Sequence, residues 1–151
     1  MTGLLKHCRL CPRVCGADRT RTRGLCGAND QIEAARASLH LWEEPPISGT
    51  RGSGTVFFSH CSLGCVFCQN RQISRREAAG KAVSVHSLAR TFLSLERQGA
   101  HNINLVTGAH YVPHIIEALR LARRDGLAIP IVYNSSGYES VDTLRLPDGW
   151  I

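Results

Sequence analysis

Cys61-Ser62-Leu63-Gly64-Cys65-Val66-Phe67-Cys68 sets three thiols close together at a Cys-x3-Cys-x2-Cys spacing. Three thiolates this near one another can each take one iron of a [4Fe-4S] cubane, and with no fourth cysteine nearby the last iron keeps an open coordination position. An open iron can bind a substrate-like ligand. The same thiols could instead serve zinc, completed by His60 or another residue, although a structural zinc site normally has four tetrahedral ligands. Buried thiols with no ligand would not need the spacing.

A second group, Cys8-x2-Cys11-x3-Cys15-x10-Cys26, lies in an arginine-rich segment with little apolar periodicity. Such a segment cannot bury much core, so a bound metal would supply its folding energy. Four thiolates suit structural zinc or a second iron-sulfur cluster, and the residues leave both open; free thiols are the bland alternative. Arg9, Arg13, Arg19, Arg21 and Arg23 surround these cysteines, which admits phosphate contacts to nucleic acid. Residues 8–26 hold no Phe, Tyr or Trp for bases to stack on, and a solvated basic face is the commoner explanation.

The chain has 151 residues, 43% of them apolar, and a net charge of +6, the size and composition of one globular domain with a leaning toward anionic partners. Seven cysteines, an odd number, argue against a fully paired disulfide framework. The start lacks the apolar run of a secretion signal and no stretch is long enough to span a bilayer, so a reducing, cytoplasmic setting is expected, where clustered cysteines are more often metal ligands than cross-links.

These thiols need elements to hold them. Thr55-Val56-Phe57-Phe58 reads as a strand, and the Cys61 to Cys68 loop follows it directly. Val85, Leu88, Phe92 and Leu95 give one apolar helix face, with Ser84 as N-cap and Gly99 at the end. Ile103-Asn104-Leu105-Val106-Thr107 is a second strand; Val112, Ile115, Ile116 and Leu119 mark a second helix with Pro113 in its first turn, closed by Asp125-Gly126. Ile129-Pro130-Ile131-Val132-Tyr133 is a third strand, and a third helix opens around Glu139. The alternation predicts an α/β fold of three βα units on a parallel sheet buried on both faces. The Pro45-Pro46 and Gly49 to Gly54 stretch, with Gly52 and Gly54 read as a turn, divides the chain into a cysteine-rich metal-binding segment, 1–45, and a main domain, 46–151. In a parallel barrel the loops at the C-terminal strand ends form the active face, where the three-cysteine loop falls.

The Cys-x3-Cys-x2-Cys run with Phe67 just before its last cysteine resembles the hallmark of the radical S-adenosylmethionine (SAM) superfamily. Glu43-Glu44-Pro45-Pro46-Ile47-Ser48-Gly49, Gly52-Ser53-Gly54-Thr55, Cys68-Gln69-Asn70 and Tyr133-Asn134-Ser135-Ser136-Gly137-Tyr138 are similar to the branch related to pyruvate formate-lyase activating enzymes. The resemblance implies a (β/α)6 partial barrel, of which three units would be the N-terminal half, so that a truncated or split member, in need of a second half-barrel chain, is expected. It implies that SAM chelates the open iron and is split by one electron, from a donor such as flavodoxin or ferredoxin, into methionine and a 5′-deoxyadenosyl radical. In activating enzymes that radical takes hydrogen from a partner protein. Phe67 would pack near the adenine.

Family members often carry a Gly-Gly-Glu stretch for the SAM amino group; this chain has Thr107-Gly108-Ala109-His110, so backbone carbonyls, Thr107 or His110 would have to substitute. His110 and His114 also stand at a metal-ligating spacing, with a helix start bearing two polar side chains as the plainer reading. Asn134, Ser135 and Ser136 follow the third strand and could bond the ribose or carboxylate of SAM, although they are also common turn formers. The rival to an enzyme is a non-catalytic iron-sulfur or zinc module, or an inactive family member, and binding and cleavage of SAM separate them.

Overall fold

The computed structural model describes residues 3–151; Met1 and Thr2, the start of the expected 1–45 segment, lie outside the described residues. After a short helix α1 (Gly3–Lys6), the chain forms β1 (Ile32–His40), α2 (Pro45–Ser48), β2 (Ser53–Phe58), α3 (Arg71–Ser74), β3 (Lys81–Val83), α4 (Val85–Arg97), β4 (Ile103–Val106), a 3-10 turn (Ala109–Tyr111), α5 (Val112–Arg124), β5 (Ile131–Asn134) and α6 (Val141–Arg145). One five-stranded sheet runs in the order β3-β1-β2-β4-β5. Strands β2, β4 and β5 are parallel, with Val56 beside Leu105 and Leu105 beside Tyr133. Among the described residues no helix is long and apolar enough to cross a membrane.

The apolar faces read from the sequence drive the packing. Leu88, Phe92 and Leu95 of α4, and Ile115 and Leu119 of α5, are buried with Val56, Phe58, Ile103 and Leu105 in one core. Ser84 caps α4 by accepting from the Ser87 amide, and Pro113 sits in the first turn of α5, where its missing N–H costs nothing. Strand residues alternate between faces, so Phe57, Val106 and Asn134, which share one register row, point away from that core.

Four expectations need correction. The sheet is mixed, because β1 pairs antiparallel with both β2 and β3. Its Glu33-Ala34-Ala35-Arg36-Ala37-Ser38 run has neither β-branched residues nor alternation, its middle is exposed, and a bulge interrupts it between Ala34 and Arg36. Gly54 is not in a turn but in β2: a β-carbon there would come within 3.0 Å of the Asn102 carbonyl and of the Leu95 and Ala100 side chains, so only glycine allows the close approach. The third strand starts at Ile131, after Pro130; the third helix opens at Val141 with Ser140 as its cap, close to the expected Glu139. The cysteine-rich segment also has a small core of its own, Leu5, Cys8 and Leu10, against which Cys15 and Leu146 pack.

Candidate functional site

The loop that leaves the C-terminal end of β2 carries Cys61, Cys65 and Cys68, all three free and half-buried. The Leu63 amide lies 3.4 Å from Cys61 Sγ, and the Ser74 hydroxyl donates to Cys68 Sγ at 3.4 Å. Val66 and Phe67 project outward, Phe67 being 85% exposed. Among the described residues no three His, Cys, Asp or Glu side chains form a group ready to hold a metal ion. The fit to a cluster rests on the donor set: three free thiols on one short loop, two of them already within reach of hydrogen-bond donors, at the active end of parallel strands.

Beside this loop opens a cleft of about 560 Å3, predominantly polar, a size suited to a nucleotide-sized ligand. Thr107, Asn134, Ser135 and Ser136 line it together, as do Phe57 and Val106 from the sheet face turned away from the core. Gln69 and Asn70, directly after Cys68, form part of its wall and so join the cleft to the cysteine loop. Thr107 holds a left-handed backbone at φ 59° while its amide donates to the Asn134 carbonyl at 3.0 Å. For a β-branched residue that conformation is strained, and strain of this kind gathers at ligand sites.

Phe67 and His110 are not brought to the cleft. The 3-10 turn carries His110 inward, where it is buried and its Nε2 lies 2.8 Å from the Ser59 carbonyl. His114 is likewise drawn inward, edge-on to the Tyr111 ring. Conversely, His40, Trp42, Glu43, Gln69 and Asn70 line the cleft without having been singled out as ligand residues. Glu43, Gln69 and Asn70 stood inside the stretches that carried the resemblance, which was signal enough; His40 and Trp42 arrive on β1 and just after it, and so depend on a strand the sequence did not disclose. Trp42 is 88% exposed at the rim.

The N-terminal thiols also approach one another. A β-carbon at Gly24 would lie 3.6 Å from Cys26 Sγ and 3.7 Å from Cys15 Sγ, and the Cys8 and Gly16 amides, donating to the Ala17 and Cys8 carbonyls at 3.1 Å each, fold Cys8 back beside Cys15. Burial pushes the Cys11 and Cys26 thiols up. Burial acts the same way on Cys15 but is outweighed by the Ala17 and Leu25 amides and the Cys8 thiol, which hold it below the ordinary value. Cys26 and Cys61 line one further cleft, with Arg13, Arg75 and Arg76, so the two cysteine groups meet across a basic surface.

The family description of the Radical SAM superfamily matches residues 55–146. An uncharacterised protein of the archaeon Methanocaldococcus jannaschii is 30% identical over 152 residues, an alignment covering 97% of this chain and 43% of that protein. The chain thus spans less than half the length of this curated relative. No solved structure matches it.

Proposed function

The chain belongs to the radical SAM superfamily, and from that premise we propose that Cys61, Cys65 and Cys68 hold a [4Fe-4S] cluster whose SAM ligand occupies the adjoining cleft. The observation that carries this reading is the junction of loop and cleft: the residues after Cys68 become the wall of a polar cavity at the C-terminal ends of β2, β4 and β5. When bound and reduced, the cluster would supply the electron that splits SAM into methionine and a 5′-deoxyadenosyl radical. The chain's part is to bind and orient. Thr107, Asn134, Ser135 and Ser136 offer hydroxyl and amide partners for ribose, amino and carboxylate groups, while Trp42, Phe57 and His40 offer ring faces for the adenine. The stretches similar to activating enzymes support hydrogen abstraction from a partner protein as the purpose of that radical, with a flavodoxin or ferredoxin as reductant.

Anaerobic reconstitution with iron and sulfide tests the reading. We expect close to one cubane per chain on this loop, an electron paramagnetic resonance spectrum that changes on adding SAM, release of 5′-deoxyadenosine on reduction, and loss of the signal in Cys65→Ala. A full iron complement at this site in a triple Cys61, Cys65, Cys68 to Ala variant, or a spectrum indifferent to SAM, would refute it.

We also assign Cys8, Cys11, Cys15 and Cys26 to a second metal, structural zinc or another cluster. Arg19 favours this. Its guanidinium, on a residue only 1% exposed, donates to the Asn29 carbonyl at 3.1 Å and the His110 carbonyl at 2.6 Å, lies 3.9 Å from Cys8 Sγ and sits 5.7 Å from the Tyr111 ring centre. No carboxylate is among these partners. A buried ion left without its counter-charge costs about several kcal/mol, and metal-bound thiolates are anions that would offset it.

A further inference from the structure

His60 directly precedes the first cluster cysteine and is held in an unusual state: it is fully buried, with a left-handed backbone at φ 71°. A ring-bearing residue stays in that conformation only where its surroundings over-determine it. Those surroundings are mostly ionic. His60 Nε2 lies 3.1 Å from Glu33 Oε2, and Arg23 Nη2 donates to Glu33 Oε1 at 2.8 Å while its Nη1 lies 3.2 Å from the same His60 nitrogen. Burial works to raise the Glu33 carboxyl, but hydrogen bonds from His60 and Arg23 outweigh it and hold the group ionised. The His60 amide donates to the Ile73 carbonyl at 2.7 Å. Gly27 allows the fit, since a β-carbon there would come 2.9 Å from His60 Nδ1 and 2.6 Å from the Arg76 carbonyl.

The other side of Cys61 is gripped as well. Arg13 donates from Nε to the Ser62 carbonyl and from Nη2 to the Leu63 carbonyl at 2.8 Å. Both arginines belong to the N-terminal cysteine segment, Arg13 between Cys11 and Cys15, and Arg23 just before Cys26. We propose that Arg13 and the Arg23–Glu33–His60 network are positioning residues for the cluster, making the N-terminal segment a clamp that fixes Cys61 from both sides and brings the Arg13 charge against the cluster loop. This rests on the assignment of Cys61, Cys65 and Cys68 as cluster ligands. Two effects follow from it. In the absence of iron the clamp shields Cys61. In the loaded protein the Arg13 cation favours the more negative, reduced cluster and raises its potential, because nearby charge and hydrogen bonding tune such potentials.

The test compares the wild-type chain with Arg13→Gln, Arg13→Lys and Glu33→Gln. Arg13 is exposed, so its replacement leaves the core intact. In the iron-free protein, alkylation by iodoacetamide mapped by mass spectrometry should be several-fold faster at Cys61 in Arg13→Gln and Glu33→Gln, with Cys68 unchanged. In the reconstituted protein, Arg13→Gln should keep its iron while the midpoint potential moves to more negative values, and Arg13→Lys, which retains the charge, should return most of that shift. Equal Cys61 alkylation in wild type and Arg13→Gln, or a potential that does not move, overturns the clamp. Should the wild-type chain take up no cluster, the cluster assignment fails, and the alkylation rates alone decide whether the N-terminal segment grips the loop.

Discussion

A buried imidazole makes this protein sensitive to acid at a residue that does not line the cleft. Burial above all, with Arg19 close by, holds the His110 pKa down to about 3 against the Ser59 carbonyl that favours its proton. In the unfolded chain the ring titrates near its ordinary value of 6.5. As pH falls, the unfolded state therefore takes the proton first. The stability contributed by a neutral His110 is complete above about pH 6.5 and drains away as pH drops toward about 3, at no more than about 1.4 kcal/mol per pH unit for one proton. His114, also held down by burial, acts in the same direction. Urea unfolding at about pH 7.5 and about pH 5 should show a clear acid-side loss that is shallower in His110→Gln, whose amide can still donate to Ser59 but does not titrate. Equal losses in the two proteins would exclude His110 as a source. Sequence position placed this residue at a strand end, beside Thr107, where ligand contact was a fair expectation. What decides its direction is the 3-10 turn after Thr107, and a three-residue turn leaves no periodicity to read.

Elements that bury a long apolar face were legible, and those that do not were hidden. Helices α4 and α5 and strands β2 and β4 announce themselves through spaced Leu, Ile, Val and Phe, and each of the four places large side chains in the one core. Strand β1 does not, since Ile32 and Leu39 stand at its ends with alanines and polar residues between; pairing with β2 and β3, not its own pattern, makes it a strand. That omission hid His40 and Trp42 from the cleft. The cysteine segment is the opposite case, since its spacing suggests a chemistry while nothing in its pattern gives its shape. The metal proposed for it can be tested on the whole chain by replacing Cys61, Cys65 and Cys68 with Ala and measuring zinc and iron after reduction. We expect about one equivalent of structural metal to remain and the melting temperature to fall on chelation, as metal binding is folding free energy for so small a core. A variant that holds neither metal under generous supply would leave these four as free thiols.

At the scale of the molecule, the sheet has two unequal edges. Strand β3 is a three-residue edge with Lys81 and Ala82 exposed, a short and charged border of the kind that discourages pairing. Strand β5 is different. The Ile103 and Thr107 amides donate to the Pro130 and Asn134 carbonyls, so alternate residues of the strand face β4 and the N–H groups of Ile131 and Tyr133 face outward. Both side chains are only half-buried against the core, which leaves apolar surface beside an unpaired backbone. In water such an edge is a template for another strand, whether from a second copy or from a partner that continues the sheet. The 151-residue chain made alone should therefore associate through β5 as its concentration rises. Light scattering coupled to size exclusion, from about 1 μM to about 100 μM, a range in which exposed edges begin to aggregate, should give a mass climbing above the 16.6 kDa of one chain. Replacing Tyr133 with Pro removes the outward N–H without touching a bond to β4, and a proline is tolerated at a sheet edge, so this variant should stay monomeric while keeping its far-ultraviolet circular dichroism. A wild-type mass fixed at one chain throughout would show that the β5 edge is already satisfied in solution, and association undiminished by Tyr133→Pro would move the contact to another surface.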